Sequence, residues 1–306
     1  VGAPAGSGAP TGPPHVRRVL ADLVAALRAR SEGAAPPSPD GTAGAPPPFR
    51  LHSLWAHYHG GDRHDNSVFG RTPPPPPGAE DPHWELFCGA PFVRESLDVR
   101  APAGGKSRPP DPPRVALRFP PNVFRQANLD AFAAIVRRVR HRVHDFAGDG
   151  RRPGPPVGVE LYGGVGTLGL HLCDLTSSLV SSDENPHNAA CFDGAADECL
   201  PPDVRRRVRY ETAGAAAMVE AGALQDADVI VVDPPRKGLE EEVLGCMLGL
   251  DPGRPRLLAY VSCGFKAFRR DCDALVAGGW KMERAEGFIL FPGADAIETL
   301  AFFTLG

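Results

Sequence analysis

The chain of 306 residues carries 33 basic and 37 acidic side chains, which gives a formal net charge of −4. This balance counts against a protein that holds nucleic acid by charge alone. An apolar content of 42% can fill the core of one large domain or of two ordinary ones. The sequence contains no run of about eighteen apolar residues, so it predicts no membrane-spanning helix.

The seven cysteines predict neither a disulfide framework nor a metal centre. Their number is odd and no two of them have C-x-x-C spacing, whereas both kinds of site need paired or clustered cysteines. We therefore expect a reducing, intracellular compartment and no metal or iron–sulfur cluster. The chain begins at Val1 and not at a methionine, so we expect a fragment or a processed form.

The distribution of proline separates an irregular N-terminal part from a regular C-terminal part. Of the 35 prolines, 27 lie before residue 157, in stretches rich in Pro, Gly and Ala that favour flexible or extended linkers. These stretches are 1–14, 33–48, 71–82 and 101–113. We expect a linker over residues 1–14, a smaller α+β region with proline-rich insertions over 15–123, and a catalytic domain over 124–306.

Between the proline-rich stretches, short segments have the spacing of regular structure. Apolar residues recur at helical spacing from His15 to Arg30 and again from Phe124 to Val143. Residues 50–70 and 83–98 mix aromatic and β-branched side chains, which is typical of strands.

From Pro156 onward, short apolar runs alternate with helical patterns. We expect strands near 157–161, 178–182, 207–210, 228–232, 256–262, 281–290 and 298–304. We expect helices near 166–174, 186–199, 214–221, 238–248 and 266–277. This alternation predicts an α/β fold with a doubly wound, mostly parallel sheet of seven strands. The last two strands have no helix of their own, which favours an antiparallel hairpin at the edge of the sheet.

A glycine-rich turn follows the first strand of this region. Gly164, Gly166 and Gly169 fit the pattern G-x-G-x-x-G, and glycine at a strand-to-helix turn lets the backbone approach a ligand closely. Asp183 ends the next strand, where an acid can bind ribose hydroxyls. The turn suits a dinucleotide-dependent oxidoreductase and an S-adenosylmethionine (SAM) methyltransferase about equally.

The motif Asp233-Pro234-Pro235-Arg236 favours the second of these classes. It follows the apolar run Val229–Val232, and open α/β sheets bind ligands at the carboxyl ends of their strands. The two prolines stiffen the backbone and so fix the Asp233 carboxylate beside a flat base and a methyl donor. A dehydrogenase gives no reason for this motif. The alternative role for Asp233 is to cap the following helix.

Cys263 is the candidate nucleophile. It ends a predicted strand and begins a helix, where the helix N-terminus and nearby Lys266 would lower the pKa of its thiol. A thiolate that adds to carbon 6 of uracil makes carbon 5 nucleophilic enough to take a methyl group, and a base must then remove the carbon 5 proton. Glu298, at the start of the last strand, can be that base.

Each of these residues also has an ordinary structural explanation. Cys263 could be a buried core thiol, and Glu298 could be a solvated carboxylate at the sheet edge. Cys272, which lies among charged residues, is expected on a solvated polar face.

Four segments together resemble the RNA uracil-5 (m5U) methyltransferases, in particular those of plants and algae. Phe124–Asn128 is similar to F-x-Q-x-N, and Glu160–Thr167 is similar to D-L-Y-C-G-x-G-T. Asp233–Gly238 is similar to D-P-P-R-x-G. Tyr260–Cys263, with Arg270-Asp271, Phe291-Pro292 and Glu298-Thr299 after it, is similar to Y-V-S-C-N-P…R-D…F-P…H-V-E-T.

The resemblance implies a SAM-dependent enzyme that forms 5-methyluridine in ribosomal or transfer RNA, with no membrane and no metal as partner. Cys263 would be the nucleophile, Glu298 the base, and Arg236 would hold the target base or a phosphate. The residues that would bind the donor or line its pocket are Gln126, Tyr162, Gly164, Gly166, Thr167, Asp183 and Asp233.

The chain departs from the family pattern at three places. Gly163 replaces a cysteine, Gly264-Phe265 replaces Asn-Pro after the nucleophile, and Ala296 replaces a histidine. These changes leave two other functions open, a SAM methyltransferase of another base specificity and a non-catalytic homologue that binds RNA or a ribosome-assembly partner. The plant and algal character of the Phe124 and Cys263 segments favours a plastid location.

Overall fold

The computed structural model describes residues 14–32, 49–58, 84–100, 108–294 and 296–306. The chain divides into a smaller compact unit, residues 1–93 with 120–122, and a larger one, residues 94–119 with 123–306. The linker predictions for 1–14, 33–48 and 71–82 fall outside the described residues, apart from Pro14, and so does 101–107. Residues 94–119, which the sequence assigned to the N-terminal region, pack with the larger unit.

The smaller unit consists of a helix and a two-stranded antiparallel sheet. The helix is α1 (Pro14–Glu32), and the strands are β1 (Ser53–His57) and β2 (Trp84–Gly89). The rings of Trp55 and Trp84 meet edge to face with centroids 6.5 Å apart. Glu85 pairs with Arg17 of the helix and accepts a hydrogen bond of 2.8 Å from the Tyr58 hydroxyl. A charged cluster therefore joins the helix to the sheet.

Two short strands and a long helix precede the main sheet. The strands β3 (Val93–Glu95) and β4 (Leu117–Phe119) pair with each other, and the helix α2 spans Leu129–Ala147. The sequence predicted a helix from Phe124 onward. It begins later because the Asn128 side chain accepts a hydrogen bond from the Ala131 N–H and so caps the helix. Residues 124–128 form a loop instead.

The main sheet has the seven strands that the sequence predicted, with ends that differ by at most two residues. They are β5 (Val157–Leu161), β6 (Ser178–Asp183), β7 (Val208–Thr212), β8 (Val229–Val232), β9 (Arg256–Ser262), β10 (Lys281–Phe288) and β11 (Glu298–Leu305). Their order is β10-β11-β9-β8-β5-β6-β7, and β11 runs antiparallel to both of its neighbours. The predicted antiparallel hairpin at the sheet edge is confirmed.

Helices cover both faces of this sheet. They are α3 (Thr167–Leu170), α4 (His187–Cys199), α5 (Pro202–Arg205), α6 (Ala215–Glu220), α7 (Glu241–Leu248) and α8 (Phe265–Ala277). The central strand β8 shows the doubly wound arrangement directly, because Val229 and Val231 belong to one buried cluster while Ile230 and Val232 belong to the other. Alternate residues of a strand face opposite sides.

The helix predicted over 166–174 is shorter in the structure. After Leu170 the chain continues in tight turns, in which His171 N–H donates to the Leu168 carbonyl and Leu172 N–H to the Gly169 carbonyl. Hydrogen bonds across three residues tighten the chain and do not sustain a regular α-helix. The turns return the chain to β6, parallel to β5.

A buried arginine fastens α2 to the main sheet. The Arg140 side chain is 1% exposed and forms two hydrogen bonds with Asp174, of 2.6 and 2.9 Å. It also donates to the carbonyls of Pro110 and His171. No helix in the described parts of the chain has the length and apolar character needed to span a membrane.

We expect Arg140→Ala to lower the free energy of unfolding by about 3 kcal/mol, since it leaves a mostly buried carboxylate without its partner. Arg138→Ala is the control on the same helix. Arg138 pairs with Glu286 at the surface, and loss of such a pair costs less than about 1 kcal/mol. Urea unfolding followed by circular dichroism measures both. Equal losses of unfolding free energy in the two variants would show that Arg140 does not hold α2 against the main sheet.

Candidate active site

The predicted nucleophile and base lie side by side at one rim of the sheet. Ser262 pairs with Thr299 in the antiparallel register of β9 and β11, so Cys263 and Glu298 are neighbours one position further on. Asp233 follows β8, the parallel neighbour of β9, and therefore reaches the same rim. This rim is also where the strand order changes direction around β5 and β8, the place where open α/β sheets bind ligands.

The Cys263 thiol is half-buried between charged groups. Burial raises its pKa, and the nearby carboxylates of Glu298 and Asp233 raise it further. Arg236 opposes this effect by its charge and by a hydrogen bond to the sulfur. The prediction of a lowered pKa is therefore wrong, because burial and two carboxylates outweigh the cation. An inert core thiol is also excluded, since Cys263 stays partly open to solvent.

Glu298 is a buried carboxylate and not a solvated edge residue. Its exposed fraction is 6%, and burial raises its pKa to about 7. Its Oε1 atom has no hydrogen-bond partner among the described residues. Buried polar atoms are nearly always paired, so an unpaired carboxylate oxygen beside a thiol marks a place where a ligand or a proton is received.

Asp233 adds a second carboxylate with weakened acidity. Burial raises its pKa to about 8, and the charges of Glu298, Glu160 and Asp183 contribute. Asp233 does not cap the following helix, because α7 begins eight residues later and its N-cap is Glu240. The structure therefore excludes the capping role that the sequence left open.

A cavity lies directly beside these carboxylates. It encloses about 410 Å³, including the space at its mouth. Its lining residues are Phe119, Phe124, Gln126, Phe132, Glu160, Tyr162, Gly163, Gly164, Val165, Thr167, Leu168 and Asp233. Five residues predicted to bind the donor are among them: Gln126, Tyr162, Gly164, Thr167 and Asp233. The other two, Gly166 and Asp183, do not line the cavity.

Gly166 and Asp183 instead shape the glycine turn. The Asp183 carboxylate accepts hydrogen bonds from the Gly164 N–H, at 3.1 Å, and from the Asn185 N–H, at 2.9 Å. Gly166 has φ +80°, and a Cβ atom there would lie 2.3 Å from the Phe192 ring, so only glycine fits. Tyr162 is the one non-glycine residue with positive φ in the described chain, at +58°. Such backbone strain tends to cluster at functional sites.

Glu160 is a further residue of the site. It begins the motif Glu160–Thr167, but no role was predicted for it from the sequence. It is 2% exposed. Its carboxylate accepts hydrogen bonds from the Gly169 N–H at 3.0 Å and from the Ser181 hydroxyl at 2.5 Å. Burial raises its pKa to about 7, against the effect of these hydrogen bonds. Glu160 therefore fixes the segment that begins α3 against the neighbouring strand β6.

The same carboxylate explains why Gly163 stands where the family pattern has a cysteine. A Cβ atom on Gly163 would lie 2.8 Å from the Glu160 Oε2 atom and 2.4 Å from the Ser181 hydroxyl oxygen. The family pattern has aspartate at position 160, one methylene shorter. The longer glutamate thus fills the space that a side chain at position 163 would need. Glu160 is thus a further departure from the family pattern, three residues before Gly163, in addition to the three identified from the sequence.

A buried aspartate joins the two loops that carry Arg236 and Cys263. Asp271 is fully buried and accepts hydrogen bonds from the Leu239 N–H, at 2.8 Å, and from the Tyr260 hydroxyl, at 2.7 Å. It also pairs with Arg270. Its neighbour Cys272 is 5% exposed. The prediction of a solvated face for Cys272 is wrong, because this side of α8 packs on the sheet.

No group of three or more His, Cys, Asp or Glu side chains within the described residues could hold a metal ion. Cys263 and the carboxylates around it are all among the described residues, so the rim contains no such group.

The relatives of the chain are RNA methyltransferases. An uncharacterized RNA methyltransferase of Protochlamydia amoebophila is 31% identical over 252 residues, 82% of this chain and 55% of the relative. The 23S rRNA (uracil(1939)-C(5))-methyltransferase RlmD of Acidithiobacillus ferrooxidans is 28% identical over 193 residues, 62% of this chain and 40% of that protein. The chain spans about half the length of these relatives or less. No protein-family model matches it.

One solved structure shares the fold of this chain. The Pyrococcus abyssi tRNA (uracil-54, C5)-methyltransferase, in complex with S-adenosyl-L-homocysteine, superposes with a TM-score of 0.54 at 22% identity. The match covers 74% of this chain and 48% of that one. The predicted fold class is confirmed, because the main sheet is doubly wound, mostly parallel and seven-stranded, and the chain shares this fold with that methyltransferase structure.

We expect Gly163→Cys to lower the free energy of unfolding by about 1–3 kcal/mol, because its side chain would overlap the Glu160 carboxylate. Glu160→Asp should relieve part of that cost, so the double variant should be at least about 1 kcal/mol more stable than the sum of the single effects. The control is Gly154→Cys, where an added Cβ meets open space and the cycle should be additive. An additive cycle at Gly163 would contradict the coupling.

Proposed function

We propose that the protein is a SAM-dependent RNA methyltransferase that forms 5-methyluridine in ribosomal or transfer RNA. The observation that carries the proposal is the pair formed by Cys263 and the buried, unpartnered carboxylate of Glu298 at the rim beside the cavity. The RNA methyltransferases among its relatives support the reaction class. A methyltransferase that acts on an exocyclic amino group has no use for this thiol.

The cavity residues fit SAM in shape and in charge. Phe119, Phe124 and Phe132 offer apolar faces to a flat adenine. The carboxyl groups of Glu160 and Asp233 border the cavity, and a cationic ligand there would favour their ionised forms. The Gly164 backbone leaves open space where a side chain would project. When bound, SAM supplies the methyl group from a positively charged sulfonium. Gln126, Tyr162, Thr167 and Asp233 would hold it, and Asp183 would fix the glycine turn beside it.

The thiolate is formed and held by residues of the rim. Because burial and two carboxylates raise the pKa of the Cys263 thiol, its proton must be taken up by a neighbour. Asp233, whose pKa is raised to about 8, takes up and retains this proton near neutral pH, so the Glu298 carboxylate stays free to take the carbon 5 proton later. Arg236 then stabilises the thiolate by a charged hydrogen bond.

The remaining steps use the same side chains. The Cys263 sulfur bonds to carbon 6 of uracil, and the electron pair of the ring double bond passes towards carbon 5 and its neighbouring carbonyl. Carbon 5 then carries both the new methyl group and a proton. Glu298 takes that proton, the double bond re-forms, and the bond from carbon 6 to sulfur breaks to release the thiolate.

The assignment to the plant and algal members of the family, and with it a plastid location, is a finer proposal. It rests on the segments Phe124–Gln126 and Cys263–Phe265 of the sequence. Import of the full-length protein into isolated plastids tests it. Recovery of the protein only outside the organelle would overturn it.

A covalent trap tests the nucleophile. Incubation with SAM and RNA that contains 5-fluorouridine should give a stable protein–RNA adduct, because fluorine at carbon 5 cannot be removed as a proton. Cys263→Ala should give no adduct, whereas Cys246→Ala, a partly buried thiol of α7, should react like wild type. Denaturing electrophoresis with labelled RNA measures this. An undiminished adduct in Cys263→Ala, or none in wild type, refutes the proposal.

Replacement of the base should stall the reaction after methyl transfer. We expect Glu298→Gln to lower turnover by at least about 100-fold and to accumulate an adduct with ordinary uridine RNA. In wild type the rate should rise with pH and level off above about pH 7, because Glu298 accepts the proton only when ionised. Glu283→Gln, at the exposed edge of the sheet, is the control. A pH profile without this rise in wild type contradicts the role of Glu298.

A further inference from the structure

Phe265 is an exposed aromatic residue beside the proposed nucleophile. It begins α8 two residues after Cys263, and its exposed fraction is 62%. The family pattern has proline at this position, so the aromatic ring is a property of this chain. A single exposed aromatic side chain is common on protein surfaces, so the distinguishing feature of Phe265 is its position two residues from the proposed nucleophile.

The ring is held in place by aromatic neighbours beneath it. The centroids of Phe265 and Phe268 lie 6.3 Å apart, and those of Phe268 and Tyr260 lie 5.2 Å apart. Phe268 is 5% exposed and Tyr260 is fully buried. Phe265 therefore stands on the core and offers the rest of its surface outward.

Exposed cationic residues lie on the two segments next to this ring. Lys266 is exposed next to it, and Arg236 and Lys237 are exposed on the loop after β8. That loop is packed against the start of α8, because an added Cβ on Gly264 would lie 2.4 Å from the Arg236 carbonyl oxygen. Further along, Arg270 donates to the Lys237 carbonyl at 3.2 Å. Three acids offset part of this charge: Glu240 beside Lys237, Asp271 beside Arg270 and Asp273 beside Arg269.

We propose that Phe265 is a stacking platform for an unpaired base next to the target uridine, and that Arg236, Lys237 and Lys266 contact the phosphates on either side. This inference rests on the proposed function and adds the face over which the RNA strand enters. Single-stranded RNA presents flat bases and a regular line of phosphates, and proteins bind it with aromatic platforms and cationic grooves.

The chemistry of this surface favours RNA over a protein partner. An apolar protein segment could cover the Phe265 ring, but it would also remove Arg236 and Lys266 from water without supplying anions. A strand of RNA satisfies both groups at once. The surface is also continuous with Cys263, so a base on Phe265 and a uracil at the sulfur can belong to one strand.

The decisive variants are Phe265→Ala, Phe265→Pro and Phe265→Trp. Proline is well tolerated at the first position of a helix, so Phe265→Pro removes the ring without disturbing α8. Binding of a fluorescent oligouridine of about 15 nucleotides is measured by anisotropy. Phe265→Ala and Phe265→Pro should weaken binding by roughly 10-fold or more, and Phe265→Trp should retain it. Val276→Ala, exposed on the same helix, is the matched control.

Lys266→Gln separates the phosphate contacts from the stacking. It should lower the slope of log affinity against log salt by about one unit while base stacking persists. Phe265→Ala should weaken binding at every salt concentration and leave the slope unchanged. Equal affinity of wild type, Phe265→Ala and Phe265→Pro would overturn the platform.

The 5-fluorouridine adduct distinguishes this inference from the proposed function. If wild type forms the adduct and Phe265→Ala binds oligouridine normally, the platform is wrong and the enzyme assignment stands. If wild type binds oligouridine through Phe265 but forms no adduct, the platform stands and the assignment is wrong. If it neither binds RNA nor forms the adduct, or if it captures only a protein partner through Phe265, the platform is overturned.

Discussion

The crowding of carboxylates at one rim of the sheet governs the chemistry of this protein. Glu160, Asp233 and Glu298 are held in or beside one cavity, and Asp183 stands behind the glycine turn. Burial raises the pKa of the first three to about 7 or 8. Such a rim attracts a cationic ligand and stores protons that a reaction can use. It also disfavours a thiolate, which is why the hydrogen bond from Arg236 to Cys263 matters.

Holding like charges together requires a stiff framework. The rim residues come from separate strands and loops, and buried ionic groups fix these to each other. Asp271 ties the loop after β8 to β9 and α8 by accepting from Leu239 and Tyr260. On the other face, Arg140 fastens α2 to the chain that leads into β6. Neither residue lines the cavity, and Asp271 acts on the reactive groups through the segments that carry Arg236 and Cys263.

The strands could be predicted from the sequence because each buried parallel strand is a short run of apolar residues. Such a run can be recognised without knowing which strand pairs with it. The sequence also placed Asp233 and Cys263 at one rim, since parallel strands end on the same side. It could not predict the environment of Glu298, because an acid at the start of a strand looks the same whether solvated or buried. The raised pKa of the Cys263 thiol could not be predicted from the sequence for a related reason. Helix geometry is visible in a sequence, whereas burial and charges from distant segments are not.

At two of the departures from the family pattern, neighbouring atoms occupy the space that a side chain would need. Gly163 lacks a side chain where the longer Glu160 carboxylate now lies. Gly264 lacks one where the Arg236 backbone approaches to 2.4 Å of a Cβ position. The change at position 163 is offset by the change at position 160, and the Cys263 thiol and the Glu298 carboxylate beside it are retained. These observations support the proposed enzyme over a non-catalytic homologue, and Phe265, which follows Gly264, is the changed residue of this loop that faces solvent.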